Sequence, residues 1–149
     1  MAGDNAYGTE YQGYYLRQEN TMGGNDAFTE AIVNWVEQHR KQKLSVDDIT
    51  RISGYSQRQL QRKFRAMTGL SLGRYIKLRR LTGAAVALRL TRYPIARISV
   101  EWGFYSHQTF HRAFLRHFGL SPGDYRHQER WHADKLLPRF SLREKEREL

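Results

Sequence analysis

The chain repeats itself. Shifted by 50 residues, SQRQLQRKFRAMTGLSLGRY (56–75) falls on SHQTFHRAFLRHFGLSPGDY (106–125) without a gap. Eight of the twenty positions are identical: Ser56/Ser106, Arg62/Arg112, Phe64/Phe114, Gly69/Gly119, Leu70/Leu120, Ser71/Ser121, Gly73/Gly123 and Tyr75/Tyr125. Leu60 lies opposite Phe110 as an apolar match. That density far exceeds what a shared composition produces. Upstream, a short helical stretch ending in Gly54 mirrors one ending in Gly103. The repeated unit is therefore helix, Gly-containing turn, Ser-capped helix, which is the helix-turn-helix pattern.

Helical periodicity begins at Asp26. Ile32, Trp35, Val36 and His39 share one face of a first helix, about 27–40. Ser45-Val46-Asp47-Asp48 is a capping box, in which a Ser oxygen and a carboxylate three residues later satisfy free N–H groups. A short helix with Ile49 and Ile52 inward follows, and Gly54 stops it. Ser56 caps the next helix, which turns Leu60, Phe64 and Met67 inward and ends at Gly69. Ser71 caps a long helix, about 72–90, carrying Tyr75, Ile76, Leu78, Leu81, Ala84, Ala85 and Leu88. Pro94 opens another at its first turn, and Gly103 stops it. Ser106 caps a sixth, with Phe110, Phe114 and Phe118 inward, and Ser121-Pro122 starts a short last one. No segment alternates like a strand. The expected fold class is all-α: two tandem helix-turn-helix units joined by a long central helix.

The expected organisation follows. Residues 1–25 are rich in Gly, Asn and Tyr, lack an apolar period, and read as a disordered extension. Met22, just before the periodic region, is a candidate natural start. Residues 26–127 form the folded domain, with helix-turn-helix units at about 28–69 and 92–119 and the joining helix at about 72–90. Residues 128–149 are a C-terminal tail, whose end, LREKEREL (142–149), mixes signs at helical spacing and reads as a solvated helix or frayed end.

Charge then narrows the partner. The net charge is +10, and it is unevenly spread: −3 over residues 1–27, +12 over 28–127 and +1 over 128–149. Between Asp48 and Glu101 there are twelve Lys and Arg and no acidic side chain. A solvated helical surface normally mixes signs, so this bias is an electrostatic footprint for a polyanion. An anionic membrane would also need an exposed apolar face or an anchor. The chain shows no lipidation motif, no apolar run long enough to span a bilayer and no signal peptide, so a cytoplasmic protein is expected. The absence of cysteine excludes disulfides, a thiol nucleophile and Cys-based zinc sites. With no Gly-rich phosphate loop, no nucleophile beside a base and no paired-carboxylate signature, neither an enzyme nor a cofactor is expected.

In a helix-turn-helix the second helix enters the major groove, and its N-terminal residues touch base edges. With Leu60, Phe64 and Met67 inward, the opposite face of the first such helix holds Arg58, Gln61, Arg62 and Arg65. The second presents His107, Gln108, His111 and Arg112 in the same places. Arg pairs bidentately with guanine and Gln with adenine. The helix at 72–90 spans roughly 28 Å at the α-helical rise, against about 34 Å for one DNA turn. A rod of that order holds two reading helices in successive major grooves, and because they differ the site is expected to be asymmetric.

The stretch from about 28 to 126 resembles the DNA-binding domain of the AraC/XylS regulators, most closely the MarA–SoxS–Rob subgroup. The residues that carry the resemblance are GYSQRQLQRKF (54–64), TGLSLGRYIKLRRL (68–81), AVALRLT (85–91), YPIARIS (93–99), WGFYSHQTFHRAF (102–114) and SPGDYR (121–126). It implies monomeric binding to a degenerate, asymmetric promoter site in double-stranded DNA, contact with RNA polymerase, and activation as the usual outcome. By position it assigns base contacts to Gln61, Arg62, Gln108, Thr109 and Arg112. The chain departs from the subgroup where Arg58 replaces Trp, where His107 and His111 replace Gln and Thr, and where Phe104-Tyr105-Ser106 replaces an acidic central residue. The segment RWHADKLLPRFSLRE (130–144) is similar to the connector that in Rob leads to an effector domain. No effector domain is read here, so control is expected through the amount of protein.

Plainer readings compete at each position. One such Arg alone is usually a solvated helix residue, but Arg58 and Arg62 lie in a repeat on an acid-free surface, which favours DNA. Gln61 and Gln108 alone are evenly balanced. Ser56, Ser71 and Ser106 are first of all caps, and their helix N-termini are also places for a phosphate. His107 and His111 have a metal-ligand spacing but no intervening Glu and no evident third ligand, so base or phosphate contact is the stronger reading. Trp35, Trp102, Phe110, Phe114 and Phe118 are core residues by spacing. The alternatives to an activator are a DNA-binding repressor or architectural protein, and a helical adaptor that binds acidic proteins through its basic face.

Overall fold

A computed structural model describes residues 27–42 and 45–141. The expected disordered extension, the candidate start at Met22 and the expected solvated end at 142–149 lie outside the described residues.

Among the described residues the chain is helical and contains no strand. The helices are α1 (27–39), α2 (Val46–Ser53), α3 (Gln57–Thr68), α4 (Leu72–Leu90), α5 (Ile95–Glu101), α6 (His107–Phe118) and α7 (Pro122–Arg126). Side chains that bond the backbone start α2, α3, α4, α6 and α7. Ser45 opens α2 with a complete capping box: its Oγ accepts from Asp48 N at 3.3 Å, and Asp48 Oδ2 accepts from Ser45 N at 2.9 Å. That backbone donor holds the Asp48 carboxyl below its ordinary pKa. Ser56 opens α3 with a second capping box, whereas Ser106 and Ser121 cap α6 and α7 through Oγ alone, which accepts from Thr109 N and Asp124 N. Gly54, Gly69 and Gly119 end α2, α3 and α6 in the left-handed conformation. Pro94 sits at the cap position of α5, one residue before the first turn where it was expected.

The chain divides into two compact units. The first comprises residues 27–38, Ser45–Tyr75 and 139–141; the second comprises 39–42 and Ile76–Pro138. In the first, Phe28, Ile32, Val33, Val36, Ile49, Leu60, Phe64 and Leu72 are buried. The Phe64 and Tyr75 rings meet at 5.4 Å. Ile52 and Met67, expected inward, and His39, expected on one face with Ile32 and Val36, are only half-buried, and each lies in the last turn of its helix. Phe140 N donates to Tyr75 Oη at 3.2 Å, so residues beyond the expected domain end bond to this unit.

The second unit is built on aromatic rings. Phe110, Phe114, Phe118 and Tyr125 form one cluster, with Phe114 5.5 Å from Phe110, 4.4 Å from Phe118 and 5.2 Å from Tyr125. Burial pushes the Tyr125 phenol above its ordinary pKa. Gly103 has φ +80, and a Cβ there would meet Gln42 O at 2.9 Å, so this turn needs glycine twice over. Gly83 is required for space alone. A Cβ at Gly83 would lie 2.1–2.5 Å from three atoms of the Trp102 ring. That ring cannot easily retreat, since the Arg40 guanidinium and the Lys41 ammonium lie 4.7 and 4.8 Å from it. Gly83→Ala is therefore expected to destabilise the unit by about 1–3 kcal/mol through overpacking, exceeding the gain of about 1 kcal/mol in helix propensity. A urea midpoint at or above that of the parent would show that Trp102 is free to move.

The tail expected outside the domain is fastened to the second unit. Trp131 Nε1 donates to Tyr125 Oη at 2.6 Å. Leu137 N donates to Thr82 Oγ1 at 2.9 Å, and Arg79 Nη1 donates to Leu137 O at 2.5 Å. His117 Nε2 lies 2.8 Å from Lys135 O. Residues 128–141 have no apolar period, so the sequence alone places the domain end at residue 127. They are held by single polar bonds instead.

Candidate nucleic-acid interface

In the first unit, α2 packs against α3, and Ile49, Leu60 and Phe64 are buried, which fixes the face that α3 turns outward. Arg58, Arg62 and Arg65 are exposed there. Their neighbour Lys63 is turned to the fold, its ammonium 4.8 Å from the Tyr55 ring and 5.3 Å from that of Phe28. The helix carries no acidic side chain, so its positive field is not cancelled locally. Ser56 Oγ accepts from Gln59 N at 3.2 Å, and Gln59 Oε1 accepts from Ser56 N at 3.1 Å. This second capping box is legible as S-x-x-Q, beyond the single cap expected at Ser56.

Gln61 is placed differently from its expected neighbours. It is half-buried, and its Oε1 accepts from Leu72 N at 3.0 Å, satisfying a donor at the start of α4. Ser71 Oγ takes another, from Arg74 N at 3.3 Å. A bidentate grip on adenine needs both ends of the amide, and here one end is already engaged. Nothing in the sequence signalled this bond, because its partners are eleven residues apart and share no periodic pattern.

In the second unit α5 and α6 repeat the arrangement. Phe110, Ala113, Phe114 and Phe118 are buried, and His107, Gln108, Thr109 and Arg112 are exposed. His111 is half-buried, with its ring 6.5 Å from that of His107. Ser106 Oγ accepts from Thr109 N at 3.0 Å and lies 2.8 Å from Thr109 Oγ1, so the Thr109 hydroxyl is part of the cap. Arg116 is also exposed on α6, in a place the repeat does not mark because Ala66 matches it. Glu101, at the end of α5, is held by Arg97 at 2.8 Å. That bond raises the Arg97 pKa further above its ordinary value. Among the described residues no three metal-ligating side chains gather, and no helix is long and apolar enough to cross a membrane.

Two outward helical faces, each free of acid and each starting from a Ser-capped first turn, carry Arg, Gln or His, side chains of the kinds that pair with base edges. Comparison with known proteins supplies the family. A family model for a helix-turn-helix domain matches residues 49–128, more than half of the chain. The regulatory protein SoxS of Salmonella typhimurium is 46% identical over 99 residues, covering 66% of this chain and 92% of SoxS. The chain belongs to the AraC/XylS family of helix-turn-helix regulators. The transcriptional regulator Rob of the same organism is 44% identical over 110 residues, which cover 74% of this chain and only 38% of Rob. The DNA-binding domain of AdpA, solved with a target DNA, superposes with a TM-score of 0.63 at 26% identity, over 66% of this chain and 88% of that one. The chain lies in the subgroup that holds SoxS and Rob. It carries the DNA-binding domain of a sequence-specific transcriptional regulator.

Proposed function

We propose that this chain activates transcription by binding one asymmetric duplex site as a single copy, reading part of it with α3 and another part with α6. The observation that carries this is the pair of unlike, acid-free outward faces on one chain. Identical faces would read the same bases twice, whereas Arg58, Arg62 and Arg65 differ in chemistry from His107, Gln108, Thr109 and Arg112. In this reading Arg62 and Arg112, which match in the repeat, each pair bidentately with a guanine, and Gln108 pairs with an adenine. Arg58, Arg65 and His107 contact bases or phosphates beside them. Gln61 and His111, both half-buried, contribute at the margin, Gln61 only through its amide NH2. The N-termini of α3, α4 and α6, capped by Ser56, Ser71 and Ser106, receive phosphates. AdpA, solved on its target DNA, supports duplex binding by this fold. RNA polymerase is the protein partner in this reading, and the work is done in the cytoplasm.

Selecting bound sequences from a random duplex pool gives the cognate site. On it, Arg62→Ala and Arg112→Ala are each expected to lose about 1–3 kcal/mol and to relax preference at different base pairs. On random duplex both changes have little effect. Equal losses on cognate and random DNA would make both residues phosphate contacts and overturn the assignment.

A further inference from the structure

The turns of the two units differ by one residue. Gly54 is followed by Tyr55 and then the cap Ser56, whereas Gly103 is followed by Phe104 and Tyr105 before the cap Ser106. In the first unit the single turn aromatic goes inward. Tyr55 is half-buried, with its ring 4.8 Å from Phe28 and the Lys63 ammonium 4.8 Å from it. In the second unit the extra residue takes the inward place. Phe104 is 8% exposed, and its ring lies 5.0 Å from that of Phe110. Its N–H donates to Ser99 O at 3.0 Å, which anchors the turn.

Helix entry is often fixed by an apolar residue just before the cap packing on the fourth helical residue. Here the fourth residue of α6 is Phe110, and Phe104 packs on it from one place further back. Tyr105, which holds the place before the cap, is left 84% exposed, the most exposed large apolar side chain among the described residues. It directly precedes the first turn of α6, where His107, Gln108 and Thr109 are also exposed. That is the end of a reading helix that faces base edges.

We propose that Tyr105 is a specificity-determining DNA contact of this chain, its ring covering the 5-methyl group of a thymine in the segment read by α6. The chemistry selects that group. The thymine methyl is the apolar feature of the major groove, and an exposed ring gains by burying its surface against it. This rests on the reading of α6 as a DNA-reading helix.

The test uses the full chain on its selected site, with each thymine of the α6 segment replaced in turn by uracil, which lacks only the methyl group. Tyr105→Ala is expected to weaken cognate binding about threefold to tenfold, and Tyr105→Phe to leave it within about twofold. At one thymine, uracil should weaken the parent by a similar factor and leave Tyr105→Ala unaffected. Unchanged helix content by circular dichroism would show that both variants fold. Three results overturn the proposal: no loss for Tyr105→Ala, an equal loss on random duplex, or a loss for Tyr105→Phe as large as for Tyr105→Ala, which would indicate a phenol–phosphate bond. Arg112→Ala separates the two readings. If it also behaves as the parent on the selected site, α6 does not read DNA, and the failure lies with the reading beneath.

Discussion

A chain that stops at Gln128 is expected to be less stable in its second unit by about 3–5 kcal/mol, at roughly 1 kcal/mol for each hydrogen bond lost together with partial burial of Trp131 and Leu137. The truncation removes the Trp131 donor from Tyr125, the Leu137 N–H from Thr82, the Leu137 carbonyl from Arg79 and the Lys135 carbonyl from His117. Thr82, Arg79 and Tyr125 are 7%, 8% and 2% exposed, so groups now covered would be opened to water. A domain of this size has only about 5–15 kcal/mol to lose. Hydrogen exchange is expected to quicken in α6 and in the part of α4 that belongs to the second unit, and the urea midpoint to fall. Unchanged exchange there would mean that the tail rests on the domain without supporting it. The family match ends at residue 128, so this strap is additional to the segment matched by the helix-turn-helix family model.

Phe114→Ala is expected to be as damaging, at about 3–5 kcal/mol. Phe114 is fully buried and touches the Phe110, Phe118 and Tyr125 rings at 4.4–5.5 Å. Three neighbours fixed on two helices cannot all close on the gap, so most of the cavity remains. Phe114→Leu, which fills more of the space, should cost less than half as much. The functional consequence follows from the fold. When the second unit loosens, α6 loses its fixed outward face. Sequence preference should then disappear from the base pairs read by α6 while those read by α3 keep theirs. Loss of preference across the whole site would show that the first unit does not stand without the second.

Much of the fold was legible because local chemistry dictated it. The repeat marks both helix-turn-helix units, and the Ser caps and left-handed glycines mark helix ends, since both act within one turn of chain. The core aromatics follow from helical spacing. The outward position of Arg58, Arg62, Arg65, Gln108 and Arg112 follows from the same spacing, because a helix that buries one face must expose the other.

What the sequence did not disclose depends on contacts between distant residues. Gln61 was expected on the outward face, yet it caps α4 across eleven residues. The tail was expected to lie outside the domain, yet Leu137 bonds to Thr82 across 55 residues. Gly83 carries no turn signal and is explained only by the Trp102 ring against it. The repeat itself implied equivalent turns, and one inserted residue sent Phe104 inward and Tyr105 outward. Periodicity and capping are properties of neighbouring residues, so the sequence alone determined which helices form and which faces they bury. Which polar side chain satisfies a distant backbone group, and which aromatic ring fills a given space, depends on three-dimensional proximity, and only the tertiary structure decided it.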